Sequence, residues 1–237
     1  MSDRAEFVHE IVGELRDFKA LAVNEPPADI DMVWGLSAPG TVKEIANDGV
    51  YSGISFDLQV VRHCIKVVRH VTAAKTGKAV EDITKEDILE DGPVFFYNGE
   101  DANTNRGKYL QNEHLEELAQ DPDFQIPKPK LIVDRIDEIA TPSQVKGLAE
   151  FLRTTSMPIG KIAVVSLAPH SIRVGRYLEH HRHLFPEDVK FINTPAPQPH
   201  HSVGTTFREA HKVLQYADMG HLARETIFKN QEPVKIL

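Results

Sequence analysis

Four stretches of this chain carry residue types that do chemistry, at spacings that a fold can use. The most concentrated is Lys161 to His183, KIAVVSLAPHSIRVGRYLEHHRH, where the apolar run Ile162 to Leu167 gives way to helical spacing at Val174, Tyr177, Leu178 and His181. The turn between them holds Ser166, Pro169, His170 and Ser171, with Arg173 in the first helical turn. A strand that runs into a helix this way aims the free N–H groups and the positive end of the helix at the carboxyl edge of a sheet, where open α/β proteins bind ligands. His170 is a candidate general acid or base, because an imidazole titrates near ~6.5; the plainer reading is that it caps its helix. Arg173 adds a permanent charge and a planar set of donors suited to phosphate or carboxylate. Together they are expected to hold an anionic group.

The other three stretches are weaker versions of the same arrangement. Ile30 to Gly35 reads as a central strand running into LSAPGT, where Gly35 and Ser37 let a ligand approach the backbone, or where the chain simply loops. The strand PVFFYNG ends on Asn98 and Gly99, followed by Glu100 and Asp101, and Glu100 is a candidate second carboxylate for acid–base work. Thr141-Pro142-Ser143-Gln144 has the form of a capping box with proline at the first helical position, which predicts that Thr141 caps a helix and, with Ser143, offers anion partners.

These positions need a framework, and the periodicity supplies one. Apolar runs near 30, 94, 131, 162 and 189 are each followed by a helical pattern or by a turn leading to one. This predicts an α/β protein with a Rossmann-like three-layer α/β/α arrangement and a mainly parallel sheet of about five strands. A single domain over 1–237 is expected, with its core at about 30–195 and helical extensions at 1–25 and 205–237. Val8, Ile11, Val12, Leu15 and Phe18 predict a first packing helix. The segment 57–77 buries Val60, Cys64, Val67 and Val71 and stops at Gly77, leaving Arg62, Lys66 and Arg69 as a solvated basic stripe. TKEDILEDGP predicts a short capped helix, and Leu110, Leu115 and Leu118 another helix. Thr206 and Glu209 suggest a second capping box, opening a helix that buries Phe207, Ala210, Leu214 and Ala217, with a shorter helix after it. Residues 41–56 lack periodicity and are expected to form a mobile or ligand-covering loop.

Composition narrows the classes of function. The chain has 237 residues, 41% of them hydrophobic and 26% charged, which is globular composition, and its net charge of -8 argues against a broad nucleic-acid footprint. A lone cysteine excludes an intrachain disulfide framework and a cysteine-rich zinc site. The charged N-terminus has neither a signal-peptide core nor a spanning segment, so a cytoplasmic protein without membrane or nucleic-acid partners is expected.

Taken in order, the motifs VWGLSAPG, FFYNGED, VDRIDEIATPSQ and VVSLAPHSIRVGRYL resemble those of the ElyC/SanA/YdcF family of bacterial Rossmann-like proteins. Gly99 matches within that family's Ser-Gly-Gly stretch, Thr141 matches its Asn-Thr pair with Ala140 in place of Asn, and Ser166, His170 and Arg173 match its last motif. The likeness spans roughly residues 30 to 195. Without an anchor segment the chain is similar to the soluble YdcF-like branch, which implies S-adenosylmethionine as a candidate ligand.

The leading expectation is therefore a protein that binds or transforms a phosphate-bearing, nucleotide-like or adenosyl small molecule at the carboxyl ends of the strands. A metal-dependent hydrolase built on His180, His181, His183, His200 and His201 is one alternative, although no HExxH framework is present. A non-catalytic envelope-related scaffold or sensor is another. The absence of a Walker sequence and of a full GxGxxG disfavours ATP hydrolysis and dinucleotide redox chemistry.

Overall fold

The computed structural model describes residues 3–17, 26–36, 55–100, 124–136, 140–196, 203–229 and 231. In chain order its main elements are α1 (Asp3–Asp17), β1 (Met32–Gly35), α2 (Ser55–Thr76), α3 (Lys85–Asp91), β2 (Val94–Glu100), β3 (Leu131–Ile136), α4 (Thr141–Thr154), β4 (Lys161–Val165), α5 (Ala168–His180), β5 (Lys190–Asn193) and α6 (Val203–Asp218). The five strands form one sheet in the order β3-β2-β1-β4-β5, and every neighbouring pair is parallel. This is the expected α/β, Rossmann-like architecture.

The strands can sit in the centre because they are apolar on both faces, as a doubly covered parallel sheet requires. Val33, Phe95, Tyr97, Ala163 and Val165 pack against α2 and α3 on one face. Met32, Trp34, Phe96, Ile162 and Val164 pack on the other face with apolar residues of α1, α4, α5 and α6. From β1 the chain moves outward to β2 and β3, then crosses back to place β4 and β5 on the other side. The ends of β1 and β4 therefore lie side by side, where Leu36 N donates to Val165 O at 2.9 Å. That is the topological switch point of the sheet.

Several local expectations hold. Gly77 ends α2 in the left-handed region at φ 71, with its N–H bonded to Ala73 O. Thr84 and Asp87 form a complete capping box for α3. Cys64 is fully buried, and its thiol fits the space left by Gly35, where a Cβ would lie 2.8 Å from Sγ. Gly35 thus serves close packing of α2 on the sheet.

Other expectations are corrected. The N-cap of α4 is Ala140, whose carbonyl accepts from Gln144 N at 3.0 Å, so Thr141 lies inside the helix and makes no capping bond. In α6 Thr206 is likewise internal, and Phe207 is 67% exposed. The buried face there runs through Glu209, Ala210 and Val213, rotated because Glu209 has a cation to meet inside. In α1 Phe7 and Ile11 are buried and Val12 is exposed, while the side chain of Leu15 and all of Phe18 lie outside the described residues. The same helix sends Glu14 to a wholly buried Arg176 on α5, with two N–H···O contacts of 2.8 and 2.9 Å. Residues 219–229 form turns in place of the expected short helix. They lie across α5, where Ile227 N donates to Gly175 O and Arg176 Nε to Arg224 O. The expected helix around Leu110, Leu115 and Leu118 lies outside the described residues, as do residues 41–54 of the loop expected at 41–56, whereas Ser55 and Phe56 already belong to α2.

Candidate functional site

At the carboxyl edge of the sheet, two successive strand-to-helix turns bring together three of the expected residues. Thr141, in the first turn of α4, and His170, in the first turn of α5, meet with Oγ1 and Nε2 3.1 Å apart. Arg173, one turn further along α5, reaches the same hydroxyl at 3.5 Å. Pro142 and Pro169 occupy early positions in the two helices, where a missing N–H removes no intrahelical bond and the fixed φ suits helix entry.

Arg173 is the hub of this cluster. Its Nε donates to Glu209 Oε2 at 3.2 Å, and its guanidinium lies 5.8 Å from the centroid of the Tyr216 ring. Lys212 Nζ donates to the other oxygen of Glu209 at 3.1 Å. Burial pushes the Glu209 carboxyl up, but Arg173, His170 and Lys212 outweigh it and hold the group below its usual range. Burial, reinforced by the Arg173 charge, pushes His170 down to about 3. The ring is therefore neutral at ordinary pH and offers hydrogen bonds instead of a readily exchanged proton. A general-acid role drawn from the reference value does not fit this setting.

The remaining expected residues lie elsewhere or have other partners. Ser166 is fully buried just past β4, and its carbonyl accepts from Ala196 N at 2.8 Å. Ser143 is half-buried in the first turn of α4. Gly99 and Glu100 continue the β2 ladder, opposite Arg135 and Ile136, and the side chain of Glu100 lies outside the described residues, as does Ser37.

Asn98 belongs to a separate polar chain on the α4 face. Trp34 Nε1 donates to Asn98 Oδ1 at 2.6 Å, and Asn98 Nδ2 donates to Asp134 Oδ2 at 2.8 Å. An indole N–H can only donate, so it fixes the amide orientation and turns the NH₂ towards the acid. Burial raises the Asp134 carboxyl, and the Asn98 bond only partly opposes this. The sequence reading missed the roles of Asp134, Glu209 and Arg176. The available signal for Asp134 was an acid within an apolar strand, directly opposite Asn98 in register.

Among the described residues, no group of three or more His, Cys, Asp or Glu is placed to hold a metal ion. At the end of α5 His180 meets His181 edge-on and His181 stacks with His183, and His181 is tied to the Tyr177 carbonyl. His200 and His201 lie outside the described residues. No described helix is long and apolar enough to cross a membrane.

Fold and site thus define the class: an α/β protein with a parallel Rossmann-like sheet and a buried polar cluster at its carboxyl edge. No family model, curated protein or solved structure matches the chain.

Proposed function

We propose that this protein binds a small molecule bearing a phosphate, nucleotide-like or adenosyl group across the carboxyl ends of its strands, with the anionic part next to Thr141, His170 and Arg173. The observation that carries this reading is the convergence of those three side chains from the starts of two consecutive helices that follow sheet strands. Glu209 is the carboxylate that meets Arg173 and Lys212, and a ligand anion takes its place at Arg173 or joins Lys212 beside it. His170 serves as a neutral hydrogen-bond partner.

The likeness of these motifs to the soluble YdcF-like branch of the ElyC/SanA/YdcF family supports the same reading and makes S-adenosylmethionine the first adenosyl compound to try. Mass spectrometry of the small molecules released on denaturing the purified protein tests the proposal. A stoichiometric phosphate-bearing or adenosyl compound supports it, and a stoichiometric metal with no such compound favours the hydrolase alternative.

A further inference from the structure

Among the described residues, two buried side-chain atoms have no hydrogen-bond partner, His63 Nε2 and Asn193 Oδ1. Native interiors satisfy nearly all such atoms, and an orphan calls for an explanation such as an absent water, ion or ligand. Asn193 is the last residue of β5, and its backbone N–H donates to Gln231 Oε1. His63 is the more informative of the two, because it is 3% exposed and sits on the α2 face of the sheet, opposite the Arg173 cluster.

Its height in the fold follows from its neighbour. The Cys64 thiol packs where a Cβ on Gly35 would stand, and Gly35 is the last residue of β1. His63 precedes Cys64 in α2, so its backbone stands at the level of the carboxyl ends of the strands, the edge on which Leu36 bonds to Val165. This is where a parallel open sheet admits ligands.

We propose that His63 is a second ligand contact, hydrogen-bonding a hydroxyl on an uncharged, sugar-like part of the molecule whose anionic group lies at Arg173. This inference rests on the binding reading above and adds a polar subsite on the other side of the switch point. Burial, with Lys66 and His70 nearby, lowers the His63 imidazole to about 4, so the ring is neutral and has one donor and one acceptor nitrogen. A hydroxyl can serve Nε2 whether that nitrogen is the donor or the acceptor. A phosphate is a poor match, because a neutral buried ring leaves its charge uncompensated.

His63→Phe keeps a ring of similar size and removes both nitrogens. Calorimetric titration with adenosine, adenosine 5′-monophosphate and inorganic phosphate is expected to show the first two weakened about tenfold in this variant and the third unchanged. His63→Gln should recover part of the loss. The parent also provides a test that needs no substitution: the ¹⁵N resonances of the His63 ring should move when adenosine saturates the protein.

A His63→Phe variant that binds adenosine as tightly as the parent, or a ring resonance that stays put, overturns the inference. A parent that binds phosphate but not adenosine overturns this inference alone and leaves the anion site standing. Binding of neither phosphate nor adenosine 5′-monophosphate overturns both.

Discussion

Arg173 on α5 and Glu209 on α6 form an ion pair across the helical layer, Nε to Oε2 3.2 Å, with the two side chains only 12% and 11% exposed. It explains why α6 turns a glutamate inward and leaves Phe207 in solvent. Removing one partner of such a pair strands the other charge, at a cost of about 3 kcal/mol. Glu209→Ala is expected to lower the urea midpoint accordingly, whereas Phe207→Ser should leave it nearly unchanged. Equal effects would mean that α6 docks through its apolar residues alone.

The start of α4 makes a prediction about capping. Ala140 holds the N-cap position and has no side-chain acceptor, so Ala140→Ser should stabilise the protein by about 0.5–1 kcal/mol. Thr141→Ala should instead lose about 1 kcal/mol through its bond to His170, and Thr141→Ser should retain most of it. Thermal unfolding of the three variants checks both signs.

Gly147 is where α4 passes over Asp134. A Cβ at this position would clash with Oδ2, so Gly147→Ala forces the helix or the acid to move and should destabilise by roughly 1–3 kcal/mol. Adding Asp134→Ala should relieve most of that strain, so the double variant should lose clearly less than the sum of the singles. Strict additivity would show that the two residues do not press on each other.

Acid should weaken the fold early. His63 and His170 are held at about 4 and about 3, below the value of ~6.5 that a free histidine has in the unfolded chain. As pH falls below 6.5 the unfolded chain takes up protons that the folded one refuses, so stability is full above that pH and declines towards pH 4 for His63 and pH 3 for His170. At 1.36 kcal/mol per unit the losses reach about 3 and about 5 kcal/mol. Unfolding midpoints measured from pH 7.5 to 4.5 should slope down, and His63→Phe should flatten the slope.

Much of the framework was readable in the sequence because it rests on short-range rules. The five apolar runs, Gly77 and the short capped helix of TKEDILEDGP declare themselves by periodicity and turn residues, and all appear in the structure. The misreadings come from long-range pairing. Thr141 fits a capping box locally, but its hydroxyl meets His170, which lies 29 residues away. Glu209 looks like a capping residue until Arg173 is found 36 residues before it, and Glu14 like a surface acid until Arg176 is found 162 residues on. His170 was identified by type and position, but its proton affinity depends on burial, which no spacing reports.

The most direct test of the binding proposal is the affinity of Arg173 variants for adenosine 5′-monophosphate, measured by calorimetry. Because Arg173→Ala leaves Glu209 with only the exposed Lys212 as a partner, it is best made together with Glu209→Gln, with circular dichroism confirming the fold. Loss of a charge-assisted contact should weaken binding by roughly 1.5–3 kcal/mol, about ten- to a hundred-fold, and Arg173→Lys should recover part of it. A folded Arg173→Ala/Glu209→Gln protein that binds as tightly as the parent would contradict the account and make the Thr141–His170–Arg173 cluster a structural joint between α4, α5 and α6.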